Sequence, residues 1–392
     1  MTVRGSAAAP GVVVSLQGRF HGFDLARELH AQGLLQRLWA SQPVSRVAKW
    51  GVPRDKIRAT MRYDALQRAA TLLRVERRIP NLFRFVYDQF DRAIARRIEP
   101  AELVVAWSGM ALHTHRRARA QGARTVVERG SAHIAYQCDI IDDELRRWGI
   151  GGKGTADPWM LEKELREYEE ADAIGIASDF VRRSFVAKGI PESKLIQVPY
   201  GVDLRAFSPG ARSQPGFRAV YAGALSLRKG IPDLLQAARR ASVELWLLGA
   251  RSPEVEPFLR DFAADHVWHG AVPQSRLADY YRNADVFVIA SLEDGYAMVV
   301  PQALACGLPV ICTENTGAAE LIEEGVNGFV VPIRDPDAIA RCLSALRDDP
   351  ARLAEMKRAA ASSLGEGGSW REYGRRVADH YRRLIAEHPS AP

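Results

Sequence analysis

The sequence predicts an α/β protein built of two doubly wound parallel-sheet domains that face each other across a cleft. Short apolar runs bounded by turn residues alternate with helical patterns along most of the chain, the mark of parallel strands joined by crossover helices. These runs form two series separated by the turn-rich stretch 198–216. The 392 residues are 47% hydrophobic and 26% charged, an ordinary globular composition at a length that supports two or three domains with real cores.

The elements follow in order. Gly11–Leu16 reads as the first strand, and Leu25, Leu29 and Leu34 mark the helix after it. Leu103–Trp107, Thr125–Glu128 and Ala173–Ala177 follow as short buried strands, and an N-terminal domain over 1–198 ends there. Within it, 46–97 is arginine-rich and helical in pattern, with Leu72, Leu73, Ile79, Leu82, Phe83, Phe85 and Val86 as its apolar positions. Such a region either rests on anionic lipid or turns a charged face to water. Ala219–Tyr221, Leu245–Leu248, Val286–Ala290, Val310–Cys312 and Phe329–Val331 are the strands of a second domain over 199–367. Over 368–392, Trp370, Tyr373, Val377, Tyr381 and Leu384 recur at three- and four-residue intervals, so one face of this last helix is buried. Ligands of doubly wound sheets bind beyond the carboxyl ends of the strands, which places the expected site in the cleft.

Charge and hydropathy exclude several classes. Lysine and arginine (54) exceed aspartate and glutamate (47), so the formal net charge is +7 and anionic partners are favoured. The uncharged stretch 297–313 contains Pro301, Gly307 and Pro309 and is too short to span a bilayer. Residues 1–10 lack the apolar centre of a secretory signal, and Cys138, Cys306, Cys312 and Cys342 form neither a disulfide framework nor a paired zinc site. A cytoplasmic protein is expected. No short repeat or low-complexity tract points to a solenoid or a disordered scaffold.

The chemistry is concentrated in Ser291–Thr316. A strand ends near Ala290, the acids Glu293 and Asp294 and then Gly295 follow, and a helix starts with Pro301 near its first position and stops at Gly307. Backbone N–H groups of such a turn bind hydroxyls or phosphates, while either carboxylate accepts hydrogen bonds from sugar hydroxyls. Upstream, Arg228 and Lys229 lie between Gly223 and Gly230. Two cations there would grip a diphosphate, each worth about 4 kcal/mol at roughly 4 Å and an effective dielectric of about 20, before desolvation is deducted.

Gln302-Ala-Leu-Ala-Cys-Gly-Leu-Pro-Val310, with an acid eight positions before Gln302, resembles the signature of the retaining glycosyltransferase family 4, the bacterial glycosyl transferases group 1. That family has the GT-B fold, two facing Rossmann-like domains. The register sets Asp294 at the family's first glutamate and Gln302 at its second. The resemblance implies that Asp294 contacts the donor sugar, with Glu293 able to substitute, and that Gln302 holds the ribose. It gives Arg228 and Lys229 the departing nucleoside diphosphate, and the nucleotide-sugar site the lining residues Gly223, Gly295, Tyr296, Ala297, Met298 and Val299. In the turn Gln17–Asp24, Gly22 lets amides approach a phosphate or acceptor. His133, preferred over His21, would contact the donor sugar or the acceptor hydroxyl. The likeness continues through 171–203 and 317–332 and into the helix holding Trp370.

Metal readings are weak. Asp335-Pro336-Asp337 reads as a helix start, and His113 and His115 alternate like a strand edge with no third ligand. The resemblance therefore implies a retaining hexosyltransferase that needs no metal or cofactor. It would move a sugar from a nucleoside-diphosphate donor to a saccharide or lipid-linked hydroxyl acceptor in polysaccharide or glycolipid synthesis. Contact with an anionic membrane surface, at the inner face of the plasma membrane, is part of that expectation, and nucleic acid is not a partner. The alternatives are a nucleotide-sugar epimerase, a phosphorylase with lysine-bound pyridoxal, and a nucleic-acid binder; the last lacks a helix-turn-helix or an aromatic RNA-binding signature.

Overall fold

The computed structural model describes residues 11–73, 82–151, 157–203, 206–212, 216–365 and 368–387. Ile79, the side chain of Phe83, both chain ends and the expected boundary at 367 lie outside the described residues. The N-terminal strands are β1 (Val12–Leu16), β2 (Leu35–Ala40), β3 (Ile57–Ala59), β4 (Leu103–Trp107), β5 (Arg124–Glu128), β6 (Ala173–Ile176) and β7 (Leu195–Gln197). They form one parallel sheet in the order β3-β2-β1-β4-β5-β6-β7. The second sheet holds β8 (Arg218–Ala222), β9 (Glu244–Leu248), β10 (His266–Gly270), β11 (Val286–Ile289), β12 (Val310–Thr313) and β13 (Gly328–Val331). Its order is β10-β9-β8-β11-β12-β13, again all parallel.

The central strands are short apolar runs because helices cover both faces: β1, β4, β8 and β11 are buried along their whole length. In each sheet the winding reverses once, between β1 and β4 and between β8 and β11. Loops leaving the two strands at a reversal diverge and open a crevice, so the topology sets two ligand-binding points.

The helix Trp370–Ala386 joins the N-terminal core. Tyr373, Val377 and Tyr381 are buried in the same cluster as Val12, Phe23 and Leu29. Its axis lies close against the helix Gly22–Ala31, since a Cβ at Gly374 would stand 2.2 Å from Glu28 Cβ.

Several local expectations are corrected. The region 46–97 is not helical throughout: β3 falls inside it and pairs with β2. Leu34 lies past the end of the first helix, at Ala31, and leads into β2. Pro301 is the third residue of the helix Val299–Ala305, which begins after Met298. His113 and His115 lie on the helix Leu112–Ala120 rather than a strand edge. That helix has no local cap; its first free N–H groups are met by distant carboxylates, Glu167 accepting from Ala111 and Leu112 and Asp91 from His113 and Thr114. Nothing in the neighbouring sequence announces such a start.

Candidate functional site in the interdomain cleft

A cavity of about 1280 Å³ lies between the two reversal points. His21, Trp107 and Arg129 line it from the first domain, joined by Tyr200, which lies just past residue 198 but packs in the first domain's core. Met298 and Gln302 line it from the second, and Trp370 from the returning helix.

On the second domain, the strand-end loops converge. After β8 the chain makes a single 3-10 turn, Leu227–Lys229, and reverses at Gly230 with φ +65°. A Cβ at Gly230 would stand 1.9 Å from the Ala290 carbonyl oxygen, so only glycine lets this turn seat against the end of β11. Arg228 and Lys229 therefore meet the loop that follows β11. Arg228 Nη1 lies 2.9 Å from Glu293 Oε2 and 3.2 Å from the Glu293 carbonyl oxygen, and the Lys229 ammonium pairs with Asp294. Burial pulls the Asp294 carboxyl up, but the Lys229 and Arg228 cations outweigh it and hold it below the usual range. Burial likewise pulls Arg228 down, and Glu293 and Asp294 more than offset it, leaving the guanidinium firmly charged.

The four charged residues are thus brought together, but differently from the expected division into phosphate-binding cations and sugar-binding acids. Each cation is paired with an acid. Glu293 is fully buried and also accepts from the Ala132 N–H and from Gln137 Nε2, both at 2.8 Å. Its carboxylate therefore ties the second domain to the first.

The rest of the turn is docked on the first domain. A Cβ at Gly295 would lie 2.1 Å from the Gly130 carbonyl oxygen, and the Gly295 carbonyl accepts from Ser178 Oγ at 2.6 Å. Tyr296 is buried edge-on to Tyr200, 5.3 Å between centroids. Ala297 is held at φ +54°, a rare conformation for a residue with a side chain, with its N–H donating to Asp294 Oδ1 at 3.0 Å. Val299 opens the helix that carries Gln302 to the cavity wall. Gln302 is 4% exposed, and its Oε1 has no hydrogen-bond partner among the described residues. A buried acceptor left unpaired costs about 1–3 kcal/mol.

Of the expected site residues only Met298 and Gln302 line the cavity itself; Arg228, Lys229, Glu293, Asp294, Gly295, Tyr296, Ala297 and Val299 lie outside its lining, at the strand ends beside it, and three others lie elsewhere. His133 does not line the cavity: it is the N-cap of the helix Ile134–Arg147, its Nδ1 accepting from the Ala135 N–H at 3.2 Å. Its ring lies against Tyr168 and Phe185, and burial, with Arg129 and Lys188 nearby, depresses it to about pKa 4. Gly22 packs its helix onto β1, where a Cβ would meet Leu16 Cδ1 at 2.4 Å. Gly223, at φ +150°, ends β8 against the Tyr221 hydroxyl.

His21, expected to matter less than His133, lines the cavity, as do Trp107, Tyr200 and Arg129, which no sequence motif singles out. For His21 the available signal was its position in the first turn after the first strand. Asp335 is an N-cap, accepting from Ala338 N–H at 2.8 Å. Asp88, Asp91 and His113 do converge, but the Lys163 ammonium sits 3.1 Å from Asp88 and 2.8 Å from Asp91, supplying the charge a metal would bring.

Residues 216–349 match the family profile of glycosyl transferases group 1. This second domain belongs to the group 1 glycosyltransferases. The group 1 domain includes the 3-10 turn and the acidic loop just described, and Gln302 with them. The D-inositol 3-phosphate glycosyltransferase of Catenulispora acidiphila is 30% identical over 264 residues, 60% of this chain and 63% of that protein. The corresponding protein of Pseudarthrobacter chlorophenolicus is 32% identical over 212 residues, 48% of this chain and 50% of its own length. A GDP-mannose-dependent alpha-(1-6)-phosphatidylinositol monomannoside mannosyltransferase of Mycolicibacterium smegmatis is 29% identical, over 54% of this chain and 62% of that protein. The chain thus spans between half and two thirds of these relatives. Among solved structures, sucrose-phosphate synthase from Thermosynechococcus elongatus matches with a TM-score of 0.70 at 17% identity, covering 96% of this chain and 100% of that one. Anabaena HepE, in complex with UDP and glucose, matches at 0.67 and 14% identity, over 96% and 100%. The whole chain has their GT-B fold.

Proposed function

We propose that the protein transfers a sugar from a nucleoside-diphosphate donor to a hydroxyl acceptor in this cleft, with retention at the sugar carbon and without a required metal or cofactor. The observation that carries the reading is the convergence of Arg228, Lys229, Glu293 and Asp294 where β8 and β11 end. A bound diphosphate takes over the two cations, which neutralise the charge developing on the leaving group. Asp294, released from Lys229, then accepts from a donor-sugar hydroxyl, and Gln302 Oε1 accepts from the ribose. Glu293 keeps its two bonds to the first domain and acts as a strut. Retention follows if the leaving phosphate receives the acceptor proton on the same face of the sugar.

The relatives named for an inositol phosphate and for a phosphatidylinositol mannoside support a saccharide or lipid-linked acceptor. Peripheral contact with an anionic membrane is part of the proposal. Residues 44–73 carry seven lysines and arginines against two acids, and expose Met61 (55%), Leu72 (83%) and Leu73 (69%). Lys49 and Trp50 of the same segment line the cavity, so this surface leads to its mouth. Among the described residues no helix is long and apolar enough to cross a membrane.

A thermal-shift panel of nucleoside diphosphates tests the donor site. A ligand at a hundred times its dissociation constant stabilises by about 2.7 kcal/mol. A flat response to every nucleotide overturns the reading, and conversion of a nucleotide sugar with no acceptor present favours an epimerase.

A further inference from the structure

At the first domain's reversal point a histidine is fixed in one orientation. His21 follows β1 and starts the helix Gly22–Ala31; its side chain is 7% exposed and lines the cavity. Nε2 lies 3.3 Å from Oε2 of Glu128, the last residue of β5. The other Glu128 oxygen accepts from the Tyr381 hydroxyl at 3.0 Å, on the helix that returns from the second domain. Gly175 of β6 leaves room for this carboxylate, because a Cβ there would lie 2.4 Å from Glu128 Oε1. The Tyr200 ring lies against the imidazole, tilted by 33° with centroids 4.1 Å apart, and Trp107 flanks it at 5.0 Å.

An ionised carboxylate only accepts, so it fixes the proton of a neutral imidazole on Nε2 and leaves a lone pair on Nδ1. Nδ1 has no hydrogen-bond partner among the described residues. Met298 and Gln302 of the second domain line the same cavity.

We infer that His21 is a catalytic residue of the acceptor side: its Nδ1 accepts a hydrogen bond from the attacking hydroxyl and orients that oxygen toward the donor sugar. Glu128 and Tyr381 are positioning residues that act through it. The inference rests on the transfer reaction proposed above. The hydroxyl's one proton points to Nδ1 while the acceptor is being positioned, then swings to an oxygen of the departing phosphate as the new carbon–oxygen bond forms and the old one breaks, so His21 keeps no proton. The contribution is one of orientation, whose loss slows transfer without weakening donor binding.

The test uses the full chain with UDP-glucose and GDP-mannose as donor probes. Donor affinity is read by calorimetry. Turnover is read as release of the nucleoside diphosphate with methyl α-glucoside and water as hydroxyls. His21→Ala should slow release about tenfold, the effect of one lost hydrogen bond, at unchanged donor affinity. His21→Asn, whose amide oxygen comes near the place of Nδ1, should recover most of it. Tyr381→Phe should slow release by about twofold to threefold, and the ring 15N spectrum of His21 should show its proton on Nε2 in the wild type and a mixed tautomer in Glu128→Gln. Release by His21→Ala within twofold of wild type, an asparagine variant as slow as alanine, or a wild-type proton on Nδ1 overturns the inference. If neither donor binds, the donor-site reading fails by itself, and the tautomer decides the case for His21.

Discussion

The second domain's charged wall, from which Met298 and Gln302 reach the cavity, comes from two short segments, 223–230 and 291–302, whereas the first domain's wall draws on residues as far apart as His21, Trp50, Trp107 and Arg129, with Tyr200 packed in the same core. Both walls sit at strand ends where the sheet order reverses. They differ in how the polar groups are held. On the second domain, charged groups are adjacent in sequence and pair with each other across two loops. On the first, His21 is held by a carboxylate 107 residues away and, through it, by a tyrosine from the end of the chain. A wall made by local loops leaves a motif; a wall assembled by the fold leaves scattered residues.

The largest expected effect falls on the local wall. Lys229→Ala should lower nucleoside diphosphate release about a hundredfold or more, the loss typical of one preorganised charge on a leaving group. A change under threefold would remove Lys229 from the reaction. Next comes the seam between the walls. Gly295→Ala pushes a methyl group into the Gly130 carbonyl, 2.1 Å from its Cβ position. It should cost about 1–3 kcal/mol in urea unfolding and slow release, while wild-type stability in this variant would mean that the seam is loose.

A third effect separates His133 from the site. Its folded pKa is lowered to about 4 from 6.5, so between those values the unfolded chain binds a proton that the folded chain does not. Stability is therefore lost as the pH falls through that window, and it is unaffected above it. His133→Asn keeps a cap for Ala135 and removes the titration. The variant should be more resistant to acid than wild type at pH 4.5 by on the order of 2 kcal/mol, with release at pH 7.5 unchanged. Loss of turnover at pH 7.5 would return His133 to the site. The smallest effect is Gln302→Ala, which should weaken UDP or GDP binding by about 1 kcal/mol; no change would leave the unpaired Oε1 without a ligand.

Much of the fold was legible because buried central strands must be apolar. β1, β4, β5 and β6, and in the second sheet β8, β9, β11, β12 and β13, all stand out as short apolar runs. The strands that escaped are polar or peripheral. In β2, Arg37 and Trp39 both bond to Glu99, satisfying a polar pair that breaks the apolar pattern. β3, β7 and β10 are short or half-exposed and lie at the outer positions of their sheets. In the site, the acidic turn and the basic pair were readable as types, but not their mutual pairing, which depends on the approach of Gly230 to Ala290. His133 and His21 both follow central strands, and sequence gave no means of telling that one ring turns into a core of Tyr168 and Phe185 while the other lines the cavity.

A structure of the complex with a nucleoside diphosphate shows where the leaving group is held. Phosphate oxygens should lie in salt-bridge contact with both Arg228 and Lys229, with Asp294 freed from its lysine and Glu293 still bonded to Ala132 and Gln137. Phosphates bound elsewhere, with the Arg228–Glu293 and Lys229–Asp294 pairs intact, would contradict this arrangement.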